Sequence, residues 1–279
     1  MPTVEMSPFT EVFFRSVEAY KKYNNMLPRI DWVGHLAEFK MIGRLGRRCN
    51  VIHVTPDNIH RDLEPVVRIG LKYKLFDTVK RYEGFAHRHE KPQNINEAMY
   101  FGAACISEED VLRFERAYFQ GDHDIQGELL GYPRCCRKAF MERWERGELD
   151  QVLSPAIETE GYRNNTVRID PIMDISMRYA GIRILNFFPH SYSCKEAFKY
   201  AEEMLRTMME IDVKATIAAL ELLSKPHTWS QVNGIIEVDS PDILITAGGY
   251  KSEPEYLVIY PSRTVRDILG SLDGVPRNR

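Results

Sequence analysis

Residues 98–121, AMYFGAACISEEDVLRFERAYFQG, carry the alternation on which the reading of the fold turns. The run 98–106 is small and apolar enough to be a buried strand, and it contains Cys105. Ser107 then fits an N-cap, because a serine hydroxyl just before a helix accepts one of the backbone N–H groups that the first turn leaves unpaired. Glu108, Glu109 and Asp110 follow, where carboxylates meet the positive end of the helix dipole. Val111, Phe114 and Tyr118 recur at helical spacing and should face inward. Gly121 can take the left-handed conformation that ends a helix. A strand running into a capped helix is a building unit of α/β and α+β domains.

The same logic extends upstream. Residues 50–55, with β-branched Val51, Ile52 and Val54, predict a strand. Helices are expected over 9–24, with Val12, Phe13, Val17 and Tyr20 as the apolar stripe, and over 31–45, with Trp32, Leu36, Phe39 and Ile42. Another is expected over 57–75, where Pro65 would delay its start or kink it. A strand is expected over 76–86, followed by His87 and His89. Downstream, 182–188 predicts a strand and 171–180 a short helix. Ser193 and Glu196 fit a capping box opening a helix through Met208, and 213–223 a further helix. From His227 the period changes to two, with Asn233-Gly234 as a turn, which predicts a small antiparallel C-terminal sheet of three strands ahead of a last helix over 262–269. Residues 150–170 are polar and irregular, suited to a long loop or domain junction, and Asn164-Asn165 suggests a turn. The expected class is α+β or α/β, a mixed sheet with flanking helices. Residues 1–97 form an N-terminal helical and α/β region, and residues 98–279 the motif-bearing α+β domain.

Composition narrows the classes. The 279 residues are 44% hydrophobic and 28% charged, with a net charge of −3, as in an ordinary globular protein. That balance offers no electrostatic reason to bind nucleic acid or an acidic membrane. No apolar run approaches the roughly 20 residues of a membrane helix, and residues 1–10 lack the cationic and apolar pattern of a secretory signal. Five cysteines, an odd number in a mid-sized chain, fit a reduced cytoplasmic protein with functional or buried thiols better than a disulfide scaffold. G-x-G-x-x-G, P-loop, G-x-S-x-G and H-E-x-x-H motifs are absent, so no nucleotide cofactor is expected. Arg44, Arg47 and Arg48 read as a solvated basic loop.

The chemistry concentrates in residues 127–136, GELLGYPRCC. Proline suits a helix start, so a helix over 134–146 is expected, with Cys136 and Phe140 inward, Cys135 at the rim, and Arg137 and Lys138 opposite. A thiol at a helix start loses its proton more easily, and the thiolate is both nucleophile and metal ligand. Cys194 shares that setting, and His190 precedes it by four residues. If the two helix starts face each other, Cys135, Cys136, Cys194 and His190 supply three sulfurs and one imidazole, a set suited to zinc or an iron–sulfur cluster. The alternative is that Cys136 and Cys194 are small buried hydrophobes. Adjacent cysteines point about 100° apart on a helix, which strains a shared site. His123 lies between Asp122 and Asp124; a carboxylate beside an imidazole raises its basicity, which a general base needs.

The stretch Gly127 to Phe140 resembles the hallmark of a prokaryotic family of uncharacterised function, with an L-G-Y-P-x-C-C-x-x-F motif after a polar, often Asp/His-containing segment and a later cysteine pattern before a helix. Pro189 to Cys194 matches that later place with a single cysteine. The resemblance spans roughly residues 98–260. It implies that Cys135, Cys136 and Cys194 belong together, and it supplies no reaction.

The leading expectation is a cytoplasmic enzyme acting on a small molecule. Cys135, His123 and Asp124 would be its catalytic groups, Cys135, Cys136, His190 and Cys194 its metal ligands, and Asp122, Glu128 and Tyr132 its supporting residues. A metal-free thiol or persulfide enzyme with Cys135 as nucleophile is the second reading. A binding protein with structural zinc or core cysteines is the third.

Overall fold

The computed structural model describes residues 3–7, 10–81, 90–147, 150–230, 234–238, 242–247 and 257–272. Expectations on His87, His89, Val232, Asn233, Gly248 and Gly249 lie outside these residues. In chain order the elements are β1 (Thr3–Ser7), β2 (Thr10–Phe14), α1 (Val17–Tyr23), α2 (Met26–Lys40), β3 (Cys49–Val54), α3 (Ile59–Ile69), β4 (Lys72–Lys80), β5 (Ala98–Cys105), α4 (Glu108–Gln120) and α5 (His123–Leu129). They continue as α6 (Arg134–Glu145), α7 (Leu153–Ile157), β6 (Thr166–Ile169), α8 (Lys195–Ile211), α9 (Val213–Leu223), β7 (His227–Ser230), β8 (Gly234–Val238), β9 (Ile243–Ala247), β10 (Leu257–Pro261) and α10 (Val265–Ser271). Helix and sheet are mixed, as the α+β reading expects. The chain divides into two units, His35–Leu149 and the pair of segments Met1–Gly34 and Asp150–Arg279.

Unit His35–Leu149 is built on an antiparallel sheet in the order β3-β5-β4. The central strand is the apolar run of the opening stretch, buried on both faces. Met99, Phe101, Ala103 and Cys105 meet Val111 and Phe114 of α4 and Leu129 of α5. Ala104 on the other face lies in a cluster with Ile52 and Val54 of β3, Leu63 and Val66 of α3, and Phe39. Two-sided burial explains why the strand lacks polar alternation, and each large apolar side chain so buried stabilises by roughly 1.5–3 kcal/mol. Gly102 faces a bulge in β4, where an added Cβ would lie 2.1 Å from the Lys74 carbonyl oxygen. The expected division at 97/98 falls inside this unit, since strand 98–105 is hydrogen-bonded to both β3 and β4.

Ser107 caps α4 by accepting the Asp110 N–H, and Gly121 ends it at φ 68°. Cys49 and Cys105 sit directly opposite each other in the β3–β5 register and are joined by a disulfide. Two of the five cysteines are therefore paired, against the expectation of a wholly reduced chain. They stand on neighbouring strands, a registration that the linear sequence does not show.

The other unit holds two sheets. One has the order β1-β2-β9 and is antiparallel. The other has the order β6-β10-β7-β8, with β6 and β10 parallel. Helix α8 turns Ala197, Tyr200, Ala201, Met204, Leu205 and Met208 inward, the i, i+3, i+4 stripe of a core helix.

Several expectations are corrected here. The helix over 9–24 is strand β2 followed by α1. Val12 and Phe14 are buried while Phe13 is half-buried, a period of two that pairing with β1 and β9 enforces. The helix over 57–75 stops at Gly70, left-handed at φ 80°, and Lys72 begins β4; Pro65 lies inside α3, which continues through it. Residues 182–188 form no strand. Ile182, Ile184, Leu185 and Phe187 are all buried, with 184 and 185 adjacent, so the run is an irregular core segment and not a two-faced strand. Residues 171–180 make two short 3-10 turns around Asp174. The C-terminal strands do not share one sheet, because β9 pairs with β2 while β7, β8 and β10 join β6.

Candidate metal centre

The first pair of ligands sits at the start of α6. Gly131 turns the chain at φ 73°, and its Cα lies so close to Arg47 that a Cβ would come within 2.7 Å of the arginine's own Cβ. Pro133 follows, and its carbonyl accepts the N–H groups of Cys136 and Arg137 at 2.9 and 3.0 Å. The Arg137 guanidinium donates to the Tyr132 carbonyl at 3.1 Å and to Asp124 at 2.7 Å, fastening the turn to α5. Cys136 is buried and Cys135 exposed, as the helical face predicts. Their sulfurs are 3.9 Å apart, so side-chain rotation in the first turn overcomes the angular separation that the helix imposes.

The second pair sits ahead of α8. Ser191 Oγ accepts the Ser193 N–H at 3.1 Å, and Thr159 Oγ1 accepts the Tyr192 N–H at 2.9 Å. The Tyr192 hydroxyl donates to the Val152 carbonyl at 3.2 Å. With the turn held this way, the helix begins one residue later than expected. Cys194, not Ser193, is the N-cap, its Sγ accepting the Ala197 N–H at 3.4 Å. Cys194 is buried and His190 half-buried.

The ligand atoms of Cys135, Cys136, His190 and Cys194 all lie within 4.8 Å of one another, a Cys3His group that could hold a metal ion. The donors suit zinc, which takes thiolate and imidazole in a tetrahedron. Sulfurs about 2.3 Å from one tetrahedral ion stand about 3.8 Å apart, and the Cys135–Cys136 separation is 3.9 Å.

The remaining candidates have other partners. His123 is the first residue of α5, its ring edge-on to Phe140 with centroids 6.2 Å apart, and it is outside the Cys3His group. Asp122 caps α5 by accepting the Ile125 N–H at 3.0 Å. Asp124 pairs with Arg137, and Glu128 with Arg113 at 2.8 Å. Tyr132 packs against the core of its unit.

Some residues escaped the sequence reading. Arg47, placed there in a solvated loop, is fully buried and donates to the Leu130 carbonyl at 3.3 Å and to Asn50. Arg48 grips Asp110 through two hydrogen bonds of 2.8 and 2.7 Å, and its guanidinium holds the Asp110 carboxyl below the usual carboxylate range. A second polar cluster joins Asp174, Ser176 and His227. His227 Nε2 is 3.1 Å from the Asp174 carboxylate and 2.7 Å from Ser176 Oγ, and Nδ1 is 2.9 Å from the Lys225 carbonyl. Asp174 inside the apolar run Pro171 to Met177 was the available signal, since a buried charge needs a partner. No protein-family model, curated protein or solved structure matches the chain.

Proposed function

We propose that the protein binds one zinc ion through Cys135, Cys136, His190 and Cys194. The reading is carried by the convergence of those four ligand atoms within 4.8 Å. A single ion fits better than an iron–sulfur cluster, whose thiolates bind separate iron atoms and therefore stand further apart. Four protein ligands complete a tetrahedron, the arrangement of structural zinc, whereas catalytic zinc keeps one position for water or substrate. The binding energy of such a centre adds to folding. His123, Asp124, Asp122, Glu128 and Tyr132 support the local backbone in this reading and touch no substrate.

Metal analysis and a visible spectrum of protein purified without oxygen test the proposal, alongside a Cys135→Ala/Cys136→Ala variant. About one equivalent of zinc is expected, lost in the variant. Chelation of the native protein should lower its thermal midpoint. Several iron atoms with strong visible absorbance would replace the single ion by a cluster. A metal-free native protein would overturn the proposal and leave Cys135 and Cys136 as a metal-free thiol pair.

A further inference from the structure

The three sulfurs of this centre are not equivalent. Cys136 is 2% exposed and Cys194 6%, whereas Cys135 faces solvent. Cys194 Sγ also accepts the Ala197 N–H, which draws electron density from the sulfur and makes it a poorer nucleophile. With four protein ligands filling the coordination sphere, an incoming molecule has no vacant position to occupy. It meets the exposed ligand sulfur instead. A metal-held thiolate needs no base to deprotonate it, which agrees with the position of His123 outside the ligand group.

Resting on the zinc reading above, we propose that Cys135 is an alkyl-accepting thiolate and that its substrates are soft carbon electrophiles, an alkyl carbon carrying a good leaving group. A lone pair on Cys135 Sγ forms the S–C bond as the bond from carbon to the leaving group breaks. The leaving group departs with the bonding pair, and no proton moves. The product is a thioether, a weaker and uncharged ligand, so the site loses one negative charge. The reaction runs once per protein molecule, and the thioether records that an electrophile was met.

Iodoacetamide is the probe, applied to the native protein with metal content measured on the same sample. Adducts are located by peptide fragmentation, because Cys135 and Cys136 adjoin. The expected result is the loss of one of the three thiols outside the disulfide, with the adduct on Cys135; Cys136 and Cys194 react only after unfolding in chelator. Cys135→Ser should abolish the adduct, with the folded state of the variant checked by circular dichroism. With zinc bound, reaction first at Cys136 or Cys194, or no reaction at all, would each overturn this proposal and leave the zinc reading standing. Absence of metal would overturn both.

Discussion

Asp174 and His227 are both sealed from solvent in the unit that contains α8 and α9, and each shifts the other toward its charged form. Burial pushes the Asp174 carboxyl up, but the His227 charge and hydrogen bond and the Ser176 N–H outweigh it and hold it below the ordinary value of 3.8. Burial likewise pulls the imidazole down, and the Asp174 carboxylate outweighs that, raising His227 above 6.5. The signs follow from linkage. The Asp174 contribution is complete above its unfolded pKa and is lost as pH falls through the lowered native value. The His227 contribution is complete below its unfolded pKa and is lost as pH rises through the raised native value. Removing one partner leaves an uncompensated buried charge, so Asp174→Asn and His227→Gln should each destabilise by about 3–5 kcal/mol. Denaturant titration between the two native pKa values checks this. Equal stability of variant and native protein there would show that the pair is not ionised. The difference for His227→Gln should shrink above the raised imidazole value.

At the scale of elements, the helix starts are where local sequence and site chemistry meet. Cys194 is both cap and proposed ligand, and the two roles separate once metal is chelated. In chelated protein Cys194→Ala should cost about 1 kcal/mol through the lost cap, and Cys194→Ser should restore it, because a serine hydroxyl accepts the same N–H. Urea unfolding of the two variants makes the comparison; identical midpoints would remove the cap from the account. With metal present both variants should lose zinc affinity. Elements with strong local signals were legible: α4 between Ser107 and Gly121, α9 at Val213–Leu223, and the start of α6 after Pro133. Those that depend on a distant partner were not. Residues 10–14 carry an apolar stripe compatible with either period, and pairing with β9, more than two hundred residues away, makes them a strand.

For the whole molecule, the Cys49–Cys105 bond leaves three cysteines outside it, and these are the three of the Cys3His group. Alkylation of protein denatured in chelator should therefore count three thiols before reduction and five after. Five in both cases would show that the cross-strand bond is not formed in the isolated protein. The bond closes a separation of 56 residues, and constraining a loop of that size stabilises by about 4 kcal/mol on the chain-entropy account. Cys49→Ala should lose a comparable amount. No helix among the described residues is long and apolar enough to cross a membrane.

The sequence by itself determined the mixed class, the capped helix after β5, the helix start beneath Gly131-Tyr132-Pro133, and the inward and outward faces of Cys136 and Cys135. These follow from short-range rules: helical period, caps, and the backbone preferences of glycine and proline. Only the tertiary structure decided which cysteines pair, which sheet each late strand joins, that 182–188 is core without being a strand, and that Asp174 meets His227. It also decided that the ligand atoms of residues 135, 136, 190 and 194 lie within reach of one ion. The physical reason is the same in each case. A cross-strand neighbour, a buried counter-charge or a fourth ligand comes from a part of the chain many residues away, and no local pattern records which distant residue it will be.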